Sequence, residues 1–443
     1  MIEQMKPSGI DWIKDIPYSW HTNKVKYLAT ESGTLFLDGD WIESDVIEES
    51  GIRYLTTGNV GAGYYKEQGS GYISEKTFSD LHCLKVYPGD LMISRLNEPI
   101  GRACIVPEGE DFYVVAVDNV ILRPNKAYNK KFIMYAMNTE GYAEHGNMIA
   151  RGATMSRVSR SQLGQFWIAA PNLSEQTAIA DFLDVQCSKL DSIIADLEKQ
   201  IDTLQKYKKS LITETVTKGL DKTASMKDSG IEWIGKIPEH WEVKKFSYEC
   251  ERIGDIDHYM PDSVDEGIPY VMTGDFIGEG NDIDFENCKQ ISRQDYLRLS
   301  RKMKPMINDI LFARYATIGT VRIVDTDKEF LVSYSCAIIR VKKTLFSKYV
   351  FYYLKSGAFY EEISKYINTN TQGNVGIDSI GRAKIPLPPV SEQEFIADFL
   401  DEKCTQIDEL LQIKQSQLSS IKRHKKSLIY EYVTGKTRVT EVK

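Results

Sequence analysis

The sequence lacks any apolar run of about 18 residues, the length that spans a bilayer. Its first twenty residues are polar and acidic, which argues against a signal peptide, so we expect a cytoplasmic protein. Cysteine is scarce and odd in number, with seven residues and no Cys-x-x-Cys pair. This pattern favours buried free thiols over a disulfide framework or a zinc site.

Catalytic motifs are also absent. Gly435, Lys436 and Thr437 match the end of a P-loop, but Tyr430 stands where its first glycine is required. The sequence contains no H-E-x-x-H and no G-x-S-x-G. We therefore predict no catalytic residue, no metal and no cofactor bound by this chain.

An excess of basic residues is missing as well. Lysine and arginine number 55 against 63 acidic residues, which gives a net charge of −8. This argues against a nucleic-acid surface that is basic overall, although it leaves room for a local basic groove. The 443 residues, 42% of them hydrophobic, are enough for about three domain-sized units.

The most informative feature is an internal repeat of about 220 residues. Three motifs occur once in each half, in the same order. They are SGIDWIKDIPYSW (8–20) and SGIEWIGKIPEHW (229–241), SEQTAIADFLD (174–184) and SEQEFIADFLD (391–401), and KKSLI (208–212 and 425–429). Two copies are too few for a solenoid, so the pattern predicts a pseudo-two-fold dimer within one chain.

Each half divides into a variable domain and a long helix. Short apolar runs bounded by Gly, Pro, Asn and Asp, such as 90–94 and 309–312, predict β-rich mixed domains. The fold class is therefore α+β, with two such domains separated by a two-helix antiparallel coiled coil. The predicted boundaries are 1–171 and 223–388 for the domains and 172–222 and 389–443 for the helices.

Apolar residues step by three and four through both helices, as in a heptad seam. About 40 residues at about 1.5 Å each predict a rod near 60 Å long. An ordinary buried helix pair within a globular core is the alternative to a two-stranded rod. The seam residues are Leu183, Leu190, Ile194, Leu197, Ile201, Leu204 and Leu211 in the first helix, and Leu400, Ile407, Leu411, Leu418, Ile421 and Leu428 in the second.

This order of duplicated motifs resembles the specificity subunit of type I restriction–modification systems, and the match covers essentially the whole chain. The resemblance implies that each variable domain is a target-recognition domain that reads one half of a split, asymmetric sequence in double-stranded DNA. The helices would set the spacing between the halves and dock two modification (methyltransferase) subunits. Two restriction (translocase–nuclease) subunits would add to that complex.

The resemblance also implies a chain that catalyses nothing. S-adenosylmethionine would belong to the modification subunits, and ATP with magnesium to the restriction subunits. Two other classes remain as alternatives: a non-catalytic coiled-coil scaffold that presents two adaptor domains, and a fused methyltransferase–specificity enzyme. The enzyme would need about 250 further residues, for which the chain has no free stretch.

Candidate DNA contacts are basic or amide residues near the ends of the variable domains. A solvated surface is the alternative for each basic cluster, and a structural ion pair is the equal alternative for Arg95 and Arg314. Trp12, Trp20, Trp233 and Trp241 are interpreted as packing anchors. The candidate contacts are Arg95, Arg102, Arg151, Thr154, Arg157 and Arg160 in the first domain, and Lys289, Arg293, Arg298, Arg301, Arg314, Thr371, Gln372 and Asn374 in the second.

Overall fold

The computed structural model describes residues 4–68, 71–150, 156–278, 280–367 and 373–439. It divides into two compact units. Unit 1 comprises Met1–Leu197 with Ser416–Lys443, and unit 2 comprises Glu198–Gln415. Each long helix therefore contributes one part of its length to each unit.

Unit 1 is built from short strands, short helices and the beginning of a long helix. Its strands are β1 (Met5–Pro7), β2 (Asp15–Pro17), β3 (His21–Lys24), β4 (Leu35–Asp38), β5 (Ile52–Leu55), β6 (Gly71–Ile73), β7 (Leu91–Ser94), β8 (Ala103–Ile105), β9 (Val114–Val115), β10 (Asn119–Arg123) and β11 (Trp167–Ala170). Its helices are α1 (Glu75–Asp80), α2 (Lys130–Met137), α3 (Glu140–Ile149), α4 (Arg160–Leu163) and the start of α5 (Leu173–Lys218). Short 3₁₀ turns occupy Val25–Leu28, Ser44–Val46 and Thr57–Asn59.

Unit 2 repeats this order. Its strands are β12 (Met226–Asp228), β13 (Lys236–Pro238), β14 (Glu242–Lys245), β15 (Cys250–Gly254), β16 (Ile268–Val271), β17 (Lys289–Ile291), β18 (Ile310–Ala313), β19 (Val321–Ile323), β20 (Leu331–Val332), β21 (Cys336–Val341) and β22 (Lys384–Leu387). Its helices are α6 (Phe246–Glu249), α7 (Arg293–Leu299), α8 (Ser347–Lys355), α9 (Gly357–Ser364), α10 (Ile377–Arg382) and the start of α11 (Val390–Val433), with a 3₁₀ turn at Thr273–Asp275.

The sheets of the two units correspond strand by strand. The four-stranded sheet has the order β4-β10-β7-β8 in unit 1 and β15-β21-β18-β19 in unit 2, and all its pairs are antiparallel. The three-stranded sheets β6-β5-β9 and β17-β16-β20 each contain one parallel pair. The predicted α+β class and the internal repeat are confirmed.

The core of each unit packs its sheet against two short helices. Strands β7 and β18 are buried along their whole length, and the central residues of α2 and α8 are buried on all sides. The seven cysteines are free and buried, as the sequence predicted. Burial raises the pKa of the Cys104 and Cys336 thiols to about 12. None of the described helices has the length and apolar composition that crossing a bilayer requires.

The tryptophans at the ends of the first repeated motif join the entry hairpin of each unit to a long helix. Trp20 and Trp241 are fully buried, which confirms their interpretation as packing anchors. The indole Nε1 of Trp20 donates to Glu175 Oε1 at 3.4 Å, and that of Trp241 donates to Glu392 Oε2 at 3.1 Å. The acid in the first helical turn thus satisfies a buried donor as well as the helix dipole.

The glutamine of the second motif ties the long helix to the variable domain. Gln176 accepts from the Asn129 backbone N–H and donates to two backbone carbonyls, and it is fully buried. Gln393 makes the matching three bonds in unit 2. A buried amide with every contact satisfied holds one orientation, so this residue sets the angle between helix and domain.

Helices α5 and α11 run antiparallel within unit 1. The Phe182 and Tyr432 rings lie 4.6 Å apart, and Lys425 donates to Asp191 at 2.5 Å. Unit 2 contains the matching pair, in which Lys208 donates to Asp408 at 2.6 Å. Every predicted seam residue is buried or half-buried. The predicted coiled-coil pairing is therefore confirmed.

Both helix ends follow local rules, with one correction. Ser174 and Ser391 were expected to be N-caps, but α5 begins at Leu173 and α11 at Val390. In α5 the cap is Asn172, whose Oδ1 accepts from the Glu175 N–H at 3.0 Å. The helices end before Gly219 and Gly435, both at φ +71°, as the sequence predicted.

Gly435 also meets a close neighbour, which yields a stability prediction. A Cβ on Gly435 would lie 2.4 Å from Pro17 Cδ, whereas one on Gly9, at φ +75°, would meet nothing within 4 Å. We expect Gly9→Ala to cost about 1 kcal/mol for its left-handed backbone, and Gly435→Ala to cost about 1–3 kcal/mol more because of the overlap. Thermal unfolding checks this, and equal losses of stability would contradict it.

Candidate nucleic-acid interface

Several loops of unit 1 gather at one end of its four-stranded sheet. We call residues 56–60, 95–102, 116–118 and 156–160 the first loop cluster. Arg102 lies inside it, where Nε donates to the Val60 carbonyl at 2.8 Å and Nη2 to the Thr57 carbonyl at 3.0 Å. Its Nη1 donates to the Asn97 carbonyl at 2.8 Å. Arg102 therefore ties loops together, which leaves few donors for DNA.

Arg95 is the second tie in this cluster. It is 8% exposed, and its Nε lies 3.0 Å from Asp38 Oδ1. Nη1 donates to the Val158 carbonyl at 3.0 Å and Nη2 to the Val117 carbonyl at 2.6 Å. Of the two alternatives from the sequence, this geometry favours the structural ion pair over a contact to guanine or phosphate.

Arg157 and Arg160 lie at the outer side of the same cluster. Arg157 Nη2 is 2.9 Å from Asp118 Oδ2, and its side chain is 51% exposed. Arg160 Nε is 3.5 Å from Asp38 Oδ2, with the side chain 39% exposed. Both guanidiniums combine one acidic partner with a solvent-exposed edge, so they can reach a phosphate or a base.

Unit 2 has a matching arrangement around Arg314. We call residues 255–260, 314–320, 333–335 and 373–376 the second loop cluster. Arg314 is 5% exposed, and its Nη2 donates to Asp255 Oδ2 at 2.6 Å. Its Nε donates to the Tyr334 carbonyl at 3.1 Å. Here too the geometry favours the structural ion pair.

The acid beneath Arg314 is strongly stabilised in its charged form. Burial raises the pKa of Asp255, but the hydrogen bond from Lys302 and the positive charges of Arg314 and Lys302 lower it by more. The net pKa lies below the usual aspartate value. Asp38 and Asp255 lie 217 residues apart, the same spacing as the repeated motifs, so the repeat itself contained the signal for this pair.

The tips of the two clusters share an unusual backbone. Asn97 has φ +58° and Ala316 has φ +53°, each two residues after the buried arginine. Non-glycine residues in this region store strain, and such residues concentrate at functional sites. The observation marks the loops that follow β7 and β18 as candidate contact loops.

The basic residues predicted around α7 do not form one surface. Arg298 stacks on the Tyr259 ring at 3.9 Å and so borders the second loop cluster. Arg293 pairs with Glu329 at 2.5 Å. Lys289 lies on β17 and is half-buried, whereas Arg301 is exposed. Lys302 donates to Asp255 at 2.9 Å and lies closer to the cluster than these residues do by sequence.

The remaining candidate residues divide in two groups. Asn374 bridges to Tyr315 within the second loop cluster. Arg151, Thr154, Thr371 and Gln372 lie outside the described residues. DNA contact by any of these side chains stays a prediction. Sequence reasoning missed His258, Tyr315 and Tyr334, because nothing in their local sequence shows that the fold brings them together.

Comparison with known proteins identifies the family. The model of the type I restriction modification DNA specificity domain matches residues 36–204 and 250–434. The chain therefore belongs to this family, and it is a specificity subunit of a type I restriction–modification system.

Curated relatives and solved structures agree. A putative type I restriction enzyme MjaX specificity subunit from Methanocaldococcus jannaschii is 28% identical over 83% of each chain. The MjaVIII specificity subunit of the same organism is 30% identical over 65% of this chain and 66% of the relative.

Solved structures show the same fold. A chain from a study of complex assembly and conformational transition of the type I R-M system superposes with a TM-score of 0.68, at 15% identity, over 95% of this chain and 99% of that chain. The crystal structure of the HsdS subunit from Thermoanaerobacter tengcongensis gives 0.52, at 16% identity, over 95% and 98%.

The buried arginine allows a direct test between its two interpretations. Arg314→Gln removes the donors of a buried ion pair, so we expect a loss of roughly 3 kcal/mol in the free energy of unfolding. Arg301→Gln, an exposed control, should change it by less than about 0.5 kcal/mol. Chemical denaturation measures both. If Arg314→Gln is as stable as the parent chain, the structural interpretation is wrong.

Proposed function

We propose that each loop cluster reads one half of a split, asymmetric DNA sequence. The observation that carries the proposal is a repeated scaffold whose exposed side chains differ between units. Arg95 and Arg314 hold matched loops through matched acids. A scaffold that is repeated while its exposed residues change is what two different half-sites on one protein require.

The exposed chemistry of the clusters supports two distinct recognition surfaces. The first cluster presents the edges of Arg157 and Arg160, while the second presents His258 and partly exposed tyrosines. Guanidinium groups suit phosphate and guanine, whereas neutral rings suit base edges and thymine methyl groups. Two unlike surfaces read a sequence that is not a palindrome.

The paired helices are proposed to set the spacing between the half-sites and to dock two modification subunits. Ile193 on α5 and Leu410 on α11, which lie 217 residues apart, are 45% and 46% exposed. Apolar side chains that remain exposed at matched positions support equivalent contacts to two copies of one partner. Two restriction subunits would complete the assembly, which would work in the cytoplasm.

The chain itself is proposed to be non-catalytic. S-adenosylmethionine would be bound by the modification subunits, and ATP with magnesium by the restriction subunits. This division is supported by the role of the clustered arginines, which hold loops rather than a reacting group.

Co-expression with the cognate modification subunit tests the proposal. We expect methylated adenines at one split motif with a gap of about 5–8 base pairs, because the half-sites should lie about one helical turn apart. Single-molecule sequencing of the host genome detects them. Replacing residues 1–171 with another recognition domain should change one half of the motif and leave the other unchanged.

The controls separate the alternatives. A stable complex without methylation would indicate a specificity subunit that does not license the reaction. Failure to form any complex would contradict the proposal and favour the non-DNA scaffold.

A further inference from the structure

Three aromatic rings meet at the outer side of the second loop cluster. The His258 ring stacks on Tyr334 with centroids 4.8 Å apart and planes at 23°. Tyr315 meets Tyr334 edge-on at 6.3 Å and 89°. We call these three residues the aromatic cluster. Its members come from three separate loops, so the arrangement is a product of the tertiary fold.

Arg314 holds the aromatic cluster from beneath. Its Nε donates to the Tyr334 carbonyl at 3.1 Å, and its guanidinium lies 4.8 Å from the centre of the Tyr315 ring. Its Nη2 is 3.1 Å from His258 Nε2, which also lies 3.2 Å from Asp255. One buried ion pair therefore orients all three rings, and such preorganisation reduces the entropy lost on binding.

The outward polar atoms of these rings are unused. The His258 side chain is 57% exposed, and both tyrosines are partly exposed. Within the described ranges, His258 Nδ1 and the hydroxyl groups of Tyr315 and Tyr334 have no hydrogen-bond partner. Rigid rings that offer three free polar atoms are suited to the donors and acceptors on base edges.

Cations border the aromatic cluster on one side. The Arg298 side chain is 49% exposed and stacks on Tyr259, the residue after His258. The Lys302 side chain is 42% exposed and pairs with Asp255. Cations beside an aromatic surface can hold phosphates while the rings meet the bases.

Unit 1 lacks these rings at the matched places. The residue after its buried arginine is Leu96, and the carbonyl that accepts from this arginine belongs to Val117. The scaffold is thus shared, whereas the aromatic cluster is specific to unit 2. A feature confined to one unit is expected to determine one half-site.

We propose that His258, Tyr315 and Tyr334 read base pairs of the half-site recognised by unit 2. Their free polar atoms bond to base edges, and their ring faces contact thymine methyl groups. The proposal rests on the proposed function, because it assigns residues to one of the two recognition surfaces.

The test uses the full chain in complex with its modification subunit. Tyr315→Phe and Tyr334→Phe each remove one hydroxyl group and keep the ring, and His258→Ala removes the histidine. We expect these changes to lower the preference for the native base at one or two positions by about 5- to 100-fold. The affected positions should lie in the half-motif that changes when residues 223–388 are exchanged, with the other half and the gap unchanged.

Tyr360→Phe is the matched control, since Tyr360 is 45% exposed on α9 and outside the loop cluster. It should leave the motif unaltered. Full preference retained in a triple variant would overturn the proposal. Should the triple variant unfold, Tyr315→Phe alone decides, because the ring remains. A wild-type complex without a split motif would overturn the proposed function and this proposal together, whereas a split motif insensitive to these changes would overturn this proposal alone.

Discussion

A buried arginine–aspartate pair organises each half of this protein. Arg95 with Asp38 and Arg314 with Asp255 lie beneath the loops at the end of a sheet. A buried guanidinium is costly unless its donors are satisfied, and here the partners are a carboxylate and carbonyls from separate loops. Satisfying one side chain therefore brings distant segments together, and the exposed residues of those segments acquire defined positions.

The motifs that identify the family lie away from this cluster. Trp20 and Glu175 join hairpin to helix, and Gln176 joins helix to domain. Each depends on a buried polar contact that tolerates little substitution, so these positions keep their sequence in both halves. The loops have no such constraint beyond their arginine. Duplicated motifs therefore report the scaffold, and the differences between the halves report what is recognised.

Much of the fold could be predicted from the sequence for the same reason. The long helices, their glycine ends and the heptad seam follow from local spacing, and strands such as Leu91–Ser94 are short apolar runs between turn residues. The N-caps were misplaced because Ser174 looks more typical than Asn172 by sequence alone. Arg95 and Arg314 could be identified as matched, yet their burial depends on acids 57 and 59 residues away along the chain.

The acidic net charge takes on a physical meaning in this arrangement. The arginines near the first loop cluster are paired with Asp38 and Asp118, so little positive charge is left over to attract DNA. Non-specific affinity depends mainly on unpaired cations and counterion release, whereas discrimination between bases depends on oriented polar groups. A chain built in this way separates the two tasks: its loops hold the groups that discriminate, and the positive surface that holds the duplex is left to the partner subunits. Recognition without strong general attraction is useful to a subunit that must not occupy random DNA before its complex is assembled.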